Sequence, residues 1–212
     1  MKPLLIFTTI LLTVTFKGFG QTNLPAADTN SAPTVETLIV IRHGEKPRGG
    51  LGQLTCRGLN RALALPQVLL KRYGTPQFIF APNPTEKVDN KVVKAGYYYV
   101  RPLITIEPTA IRCGLPVNTQ FGYTEIKGLE NELQNPQYQN ATTFIAWEHG
   151  LLDKFAKNLV KDNGGDPAQV PPWPDSEYDM IFIFKITTDH EQRSVSFTVE
   201  QEGLNGLSDA CP

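Results

Sequence analysis

Two histidines of this chain occupy the same local setting. His43 lies just beyond the apolar run Leu38-Ile39-Val40-Ile41, separated from it by Arg42 and followed by Gly44; His149 lies just beyond Thr142 to Trp147, separated from it by Glu148 and followed by Gly150. Either histidine alone reads most simply as a loop cap. The pair, taken with Arg42, points to a site built for an anion. A phosphoryl group in transfer spreads negative charge over three equatorial oxygens, and its catalysis is mostly positioning and electrostatic stabilisation. Arg42, Arg101 and a protonated His149 are three cationic, directional donors of the kind that charge requires, so neither a metal ion nor a cofactor is expected. The rival reading, a zinc site, is weak: two histidines and a glutamate without helical ligand spacing do not make a ligand set.

These residues need elements that bring them together. A short run that is apolar throughout and stops at a polar loop is how a strand buried on both faces looks. Three such runs occur, at Leu38–Ile41, Gln77–Ala81 and Thr142–Trp147. Helical stretches follow them. One is capped by Thr55, has Leu59, Ala62, Leu63, Leu69 and Leu70 on its apolar side and a kink expected at Pro66; the others are Arg101–Cys113, with Pro102 in its first turn and Gly114 as its stop, and Leu151–Val160. Met180–Thr187 and Arg193–Val199, around Thr188-Asp189-His190-Glu191, predict an antiparallel C-terminal hairpin. The expected fold is α/β, a three-layer sandwich with a mostly parallel mixed sheet and helices on both faces. In such sheets the loops at the carboxyl ends of strands gather into one crevice, which is where His43 and His149 would meet.

Four segments in this order resemble the histidine phosphatase (phosphoglycerate mutase-like) superfamily, over roughly residues 37–160. They are Arg42-His43-Gly44-Glu45; Leu54-Thr55 with Gly58 and Ala62; Arg101 to Pro108 running into Gly114-Leu115-Pro116-Val117; and Glu148-His149-Gly150. The resemblance implies that His43 is the nucleophile and becomes a phosphohistidine, with Arg42, Arg101 and His149 around the phosphate. Imidazole chemistry then requires one ring nitrogen tied to backbone and the other free to attack. For the proton donor three acids stand open. Glu148 follows Trp147, whose apolar neighbourhood would raise its pKa; Glu125 lies where one branch of the family keeps its acid; Glu45 belongs to the first motif. Departures from the family concern the approach to the site. Lys46-Pro47-Arg48-Gly49-Gly50 lacks the usual Asn, leaving Arg48 as a stand-in donor. A long connection from Pro82 to Val100, with Tyr97, Tyr98 and Tyr99, is expected to overhang the pocket or to pack as a plain loop, and Pro171-Pro172-Trp173-Pro174 to form a wall or a surface clamp.

Twenty basic against 21 acidic residues give no basic excess for nucleic acid, and 41% apolar residues in 212 allow one sizeable core. The chain divides into a signal peptide at 1–20, a flexible polar leader at 21–34 and a single domain at 35–212. Lys2, the apolar run Leu4–Phe16 and Gly18-Phe19-Gly20 are the marks of a cleaved export signal. The run is shorter than the ~20 residues a bilayer core needs, so no stable membrane insertion is expected after cleavage. A secreted or periplasmic location would permit a disulfide, for which Cys56 and Cys211 are the better pair; Cys113 would remain a small buried hydrophobe, and three free thiols are the alternative. The function expected is an exported, metal-independent phosphomonoesterase acting on a small phosphorylated substrate. A non-catalytic phosphate-binding relative and a phosphomutase are the alternatives.

Overall fold

The apolar run at 38–41 lies within a nine-residue strand, β1 (Thr34–Arg42), whose residues 38–42 are buried. The computed structural model describes residues 32–88 and 93–212. The expected signal peptide and most of the leader lie outside the described residues. On one side β1 pairs in parallel with β5 (Thr142–Trp147), which pairs in parallel with β2 (Phe78–Phe80). On its other side β1 pairs antiparallel with β6 (Met180–Asp189), whose hairpin partner β7 (Gln192–Gln201) forms the edge of the order β2-β5-β1-β6-β7. The predicted mixed sheet and C-terminal hairpin are therefore both present.

Side chains alternate across a strand, so a strand apolar on both faces needs helices on both. Leu38 and Val40 join Phe182 and Phe184 in one core, under α3 (Ile126–Glu132) and α4 (His149–Asp162). Ile39 and Ile41 join Phe144 and Ile181 in the other, under α1 (Cys56–Tyr73) and α2 (Arg101–Cys113). This is the expected three-layer sandwich. Two features escaped the sequence reading: α3, and a small ribbon of β3 (Lys87–Val88) and β4 (Tyr97–Tyr98) in the long connection. Among the described residues no helix is long and apolar enough to cross a membrane.

Helix α1 carries one correction. Its buried residues are Gly58, Arg61, Ala62, Leu65, Pro66 and Leu69, spaced by three and four as one helical stripe. Leu63 falls outside that stripe and is exposed, whereas Arg61 falls on it and is fully buried. Pro66 lies inside the helix, which continues through it to Tyr73, where Gly74 accepts the turn out. Thr55 caps the start as expected, its Oγ1 accepting from the Gly58 amide at 3.1 Å.

Cys56 and Cys211 form a disulfide with their Cα atoms 4.5 Å apart. Cys113 is free, but it is half-buried rather than buried, with its thiol pKa raised by the burial it has. The tail reinforces the bridge: Arg57 pairs with Asp209 at 2.7 Å, and Asn60 Nδ2 donates to the Ser208 and Ala210 carbonyls. Since the bridge closes a loop with a sequence separation of 155, a Cys56→Ser, Cys211→Ser protein is expected to lose about 2–5 kcal/mol, because the unfolded chain regains the entropy of an open loop. Urea unfolding at 25 °C with and without the bridge measures it. An unshifted midpoint would remove the bridge from the stability account.

Candidate active site

The register of β1 against β5 places Arg42 opposite Trp147, so the two strands end level and the His43 amide donates to the Trp147 carbonyl at 3.0 Å. That juxtaposition brings His43 beside the Glu148-His149 turn, as the carboxyl-end argument requires. His43 is buried. Its Nδ1 lies 2.7 Å from the Gly44 carbonyl, which makes Nδ1 the protonated nitrogen and leaves Nε2 with its lone pair. Burial first, then the nearby charges of Arg101, Arg42 and Lys46, hold its pKa well below the usual histidine value, and the bond to Gly44 offsets only part of this. At neutral pH the ring is neutral, the form in which imidazole is a nucleophile.

Gly44 and Gly150 do not have the positive φ that a tight turn would give them. The glycine at 44 answers a different need: a Cβ there would stand 2.9 Å from the carbonyl oxygen of Gly58, so the loop after His43 rests directly on the first turn of α1. The Gly44 amide donates to Thr105 Oγ1 at 2.9 Å, and that hydroxyl donates to the Arg101 carbonyl at 2.8 Å. One threonine thus joins the His43 loop to the start of α2. Arg101, also buried, stacks over the Tyr99 ring at 4.4 Å and donates through Nη1 to the Gly50 carbonyl at 3.0 Å. Tyr99 in turn meets the His43 ring edge-on at 6.0 Å.

Arg42 follows Leu38 and Val40 in the alternation, so it emerges on the α4 side of the sheet, where Trp173 is packed on Phe182. There its Nη1 donates to the carbonyls of Pro174, Asp175 and Glu177 at 3.3, 2.7 and 2.8 Å, while its guanidinium covers the Tyr178 ring at 4.0 Å. The Pro-rich segment is anchored in the core through Trp173, and the Pro174 carbonyl at its end helps to hold Arg42. The Nε atoms of Arg42 and Arg101 are buried without a hydrogen-bond acceptor among the described residues. Buried charged donors without acceptors are costly, and an anion at the site would relieve both.

The acids are placed differently from expectation. Glu148 is the N-cap of α4, its Oε2 accepting from the Leu151 amide at 2.9 Å, and its Oε1 lies 2.6 Å from Nδ1 of His149. Burial does push its pKa up, as expected beside Trp147. The His149 ring and the Gly150 and Leu151 amides outweigh that push and hold it down at about 2. The raised pKa expected of Glu148 is thus corrected: the chain turns into the helix at His149, two residues before the expected start, and makes the carboxylate a cap. Glu45 forms a two-point ion pair with Arg61, at 2.8 and 3.0 Å. Glu125 accepts from the Gly122 amide at 2.7 Å at the start of α3.

An acid the sequence reading missed, Asp175, stands instead beside two cations and the His149 ring. Its Oδ1 lies 3.2 Å from Arg42 Nη2, 3.3 Å from Lys46 Nζ and 3.6 Å from His149 Nε2. With Lys46, Arg48, Gly50, Tyr97, Arg101 and Tyr178 it lines a cleft of about 420 Å³. Arg48 and Tyr97 are thus at the cleft, so the long connection does contribute to it. Among the described residues no group of three or more His, Cys, Asp or Glu side chains is placed to hold a metal ion.

No protein-family model and no curated protein sequence matches this chain. Solved structures do. Mycobacterial hydrolase 2 superposes with a TM-score of 0.53 at 15% identity, over 79% of this chain and 91% of its own. A protein from Nakamurella multipartitia assigned as the phosphohistidine phosphatase SixA gives 0.53 at 15%, over 79% and 96%. A mycobacterial glucosyl-3-phosphoglycerate phosphatase gives 0.51 at 15%, over 78% and 98%. The fold of this chain is the one these three structures share.

Proposed function

We propose that this protein is an exported phosphomonoesterase that works through a phosphohistidine on His43 and needs no metal ion. The observation that carries the reading is the state of His43: buried, neutral, with Nδ1 committed to the Gly44 carbonyl and Nε2 left for in-line attack, beside two buried arginines whose Nε donors have no acceptor among the described residues. Arg42, Arg101 and His149 would hold the phosphoryl oxygens and take up the charge that develops in transfer. The names of two proteins of this fold, a phosphohistidine phosphatase and a glucosyl-3-phosphoglycerate phosphatase, agree with a phosphorylated substrate. Export is supported by the character of residues 1–20 and by the Cys56–Cys211 disulfide, which an oxidising compartment would preserve.

The test is hydrolysis of p-nitrophenyl phosphate and a panel of sugar, nucleotide and inositol phosphates by the mature chain treated with EDTA. Turnover is expected to be the same before and after chelation, since cationic side chains already stand where a metal would neutralise the phosphoryl oxygens. Activity lost on chelation and restored by zinc or magnesium would overturn metal independence. Phosphate binding with no hydrolysis of any ester would favour a non-catalytic phosphate-binding protein.

A further inference from the structure

Asp175 differs from every other acid near His43 in what holds it. Glu148, Glu125 and Glu45 are each engaged by a helix start, a backbone amide or a buried arginine, contacts that serve the fold. The Asp175 side chain is 74% exposed, and the groups within 4 Å of its Oδ1 are the cations Arg42 and Lys46 and the His149 ring, from the end of β1, the loop after it and the first residue of α4. Its backbone is fixed, because Arg42 Nη1 holds the carbonyls of residues 174, 175 and 177 and the buried Trp173 donates to the Glu177 carbonyl at 3.1 Å. Only the side-chain torsions are free. The carboxylate thus stands where phosphoryl oxygens would be received, on a backbone that keeps it at the cleft when it gives way.

We propose that Asp175 is the proton donor to the leaving oxygen, and that the bound phosphoryl group prepares it by taking over its cations. This rests on the phosphatase reading given above. In the free protein the slight burial of Asp175 pushes its pKa up, but Lys46, Arg42 and His149 outweigh this and keep it ionised. A phosphoryl dianion engages the same cations and sets two negative charges beside the carboxylate, which raises its proton affinity while the ester is bound. His43 Nε2 then forms the N–P bond as the ester P–O bond breaks, and the electron pair of that bond stays on the leaving oxygen, which takes the Asp175 proton. In the second half a water oxygen attacks phosphorus and gives its proton to the Asp175 carboxylate. The P–N bond breaks and its electron pair returns to Nε2.

The experiment compares the wild type with Asp175→Asn and Glu148→Gln on glycerol 2-phosphate, whose alkoxide needs a proton to leave, and on p-nitrophenyl phosphate, whose phenolate does not. Asp175→Asn is expected to lose roughly 10²–10³ in kcat on the alkyl ester and less than about tenfold on the aryl ester. Vanadate binding should be unchanged or tighter, because the substitution removes the charge that competes for the cations. Equal losses on both esters, no loss on either, or the contrast appearing in Glu148→Gln instead would overturn the assignment while leaving the phosphatase standing. A wild type that hydrolyses neither ester would overturn both.

Discussion

His43→Ala is expected to lower turnover by roughly 10⁴-fold or more while vanadate still binds. The nucleophile and the charge clamp are separate groups: Arg42 is held by the 174–177 carbonyls, Arg101 by Gly50 and Tyr99, and neither uses the imidazole as a support. Removing the ring therefore deletes the attacking nitrogen and leaves the donors in place. During turnover of the wild type, acid quenching should lose the labelled phosphoenzyme and alkaline quenching should preserve it, as a phosphoramidate requires. An intermediate stable in acid and labile in base would indicate an acyl phosphate on a carboxylate. Retained turnover in His43→Ala would end the phosphohistidine reading.

The other large effect is expected far from the chemistry, at Arg61. This guanidinium is fully buried and serves three carboxylates: Glu45 through two bonds, Asp179 at 3.0 Å, and Glu202 by a very short contact. One cation cannot balance three carboxylates, two of them buried. Burial pushes Glu202 up to about 8, against the pull of Arg61 and with the added repulsion of Asp179 and Glu45, so it keeps its proton at neutral pH. Asp179, which also accepts from the Gly203 and Leu204 amides, is held below its usual value despite its burial. Arg61→Leu strands the remaining charges and is expected to cost about 3–5 kcal/mol, roughly 6–20 °C in Tm. The sign of the pH dependence follows from the raised group. The Glu202 contribution is complete below its ordinary pKa of 4.5 and is gone once pH has risen through about 8, so Glu202→Gln should flatten the decline in stability between about pH 4.5 and 8. A Tm unmoved by Arg61→Leu would show that the cluster carries no stability.

Where local pattern determines structure, the chain was legible. The three buried strands, the cap at Thr55 and the stop at Gly114 follow from runs, caps and breakers that act over a few residues. Helix α3 has seven residues and β3 and β4 two each, too short for periodicity to develop. At the site, His43 and His149 were visible because each follows closely on a strand, and Arg42 and Arg101 because their motifs resemble a family. Glu148 misled because glutamate is not among the usual N-cap residues, so nothing local announced that a helix starts at His149. Arg61 reads as a surface residue until its three partners, 16, 118 and 141 residues away, are known. Asp175 sits in a proline-rich loop with no periodicity, and its place depends on a contact with a residue 133 positions earlier.

That long-range contact also sets when the site can exist. Arg42 emerges in the first quarter of the chain, but the carbonyls that fix its guanidinium belong to residues 174, 175 and 177. A chain under synthesis that has not yet passed Glu177 has β1 and its histidine but nothing to aim the arginine beside it. The site is completed only when the last third of the protein folds back over the first strand, so partly made or C-terminally clipped chains carry the nucleophile without an organised receiver for its substrate.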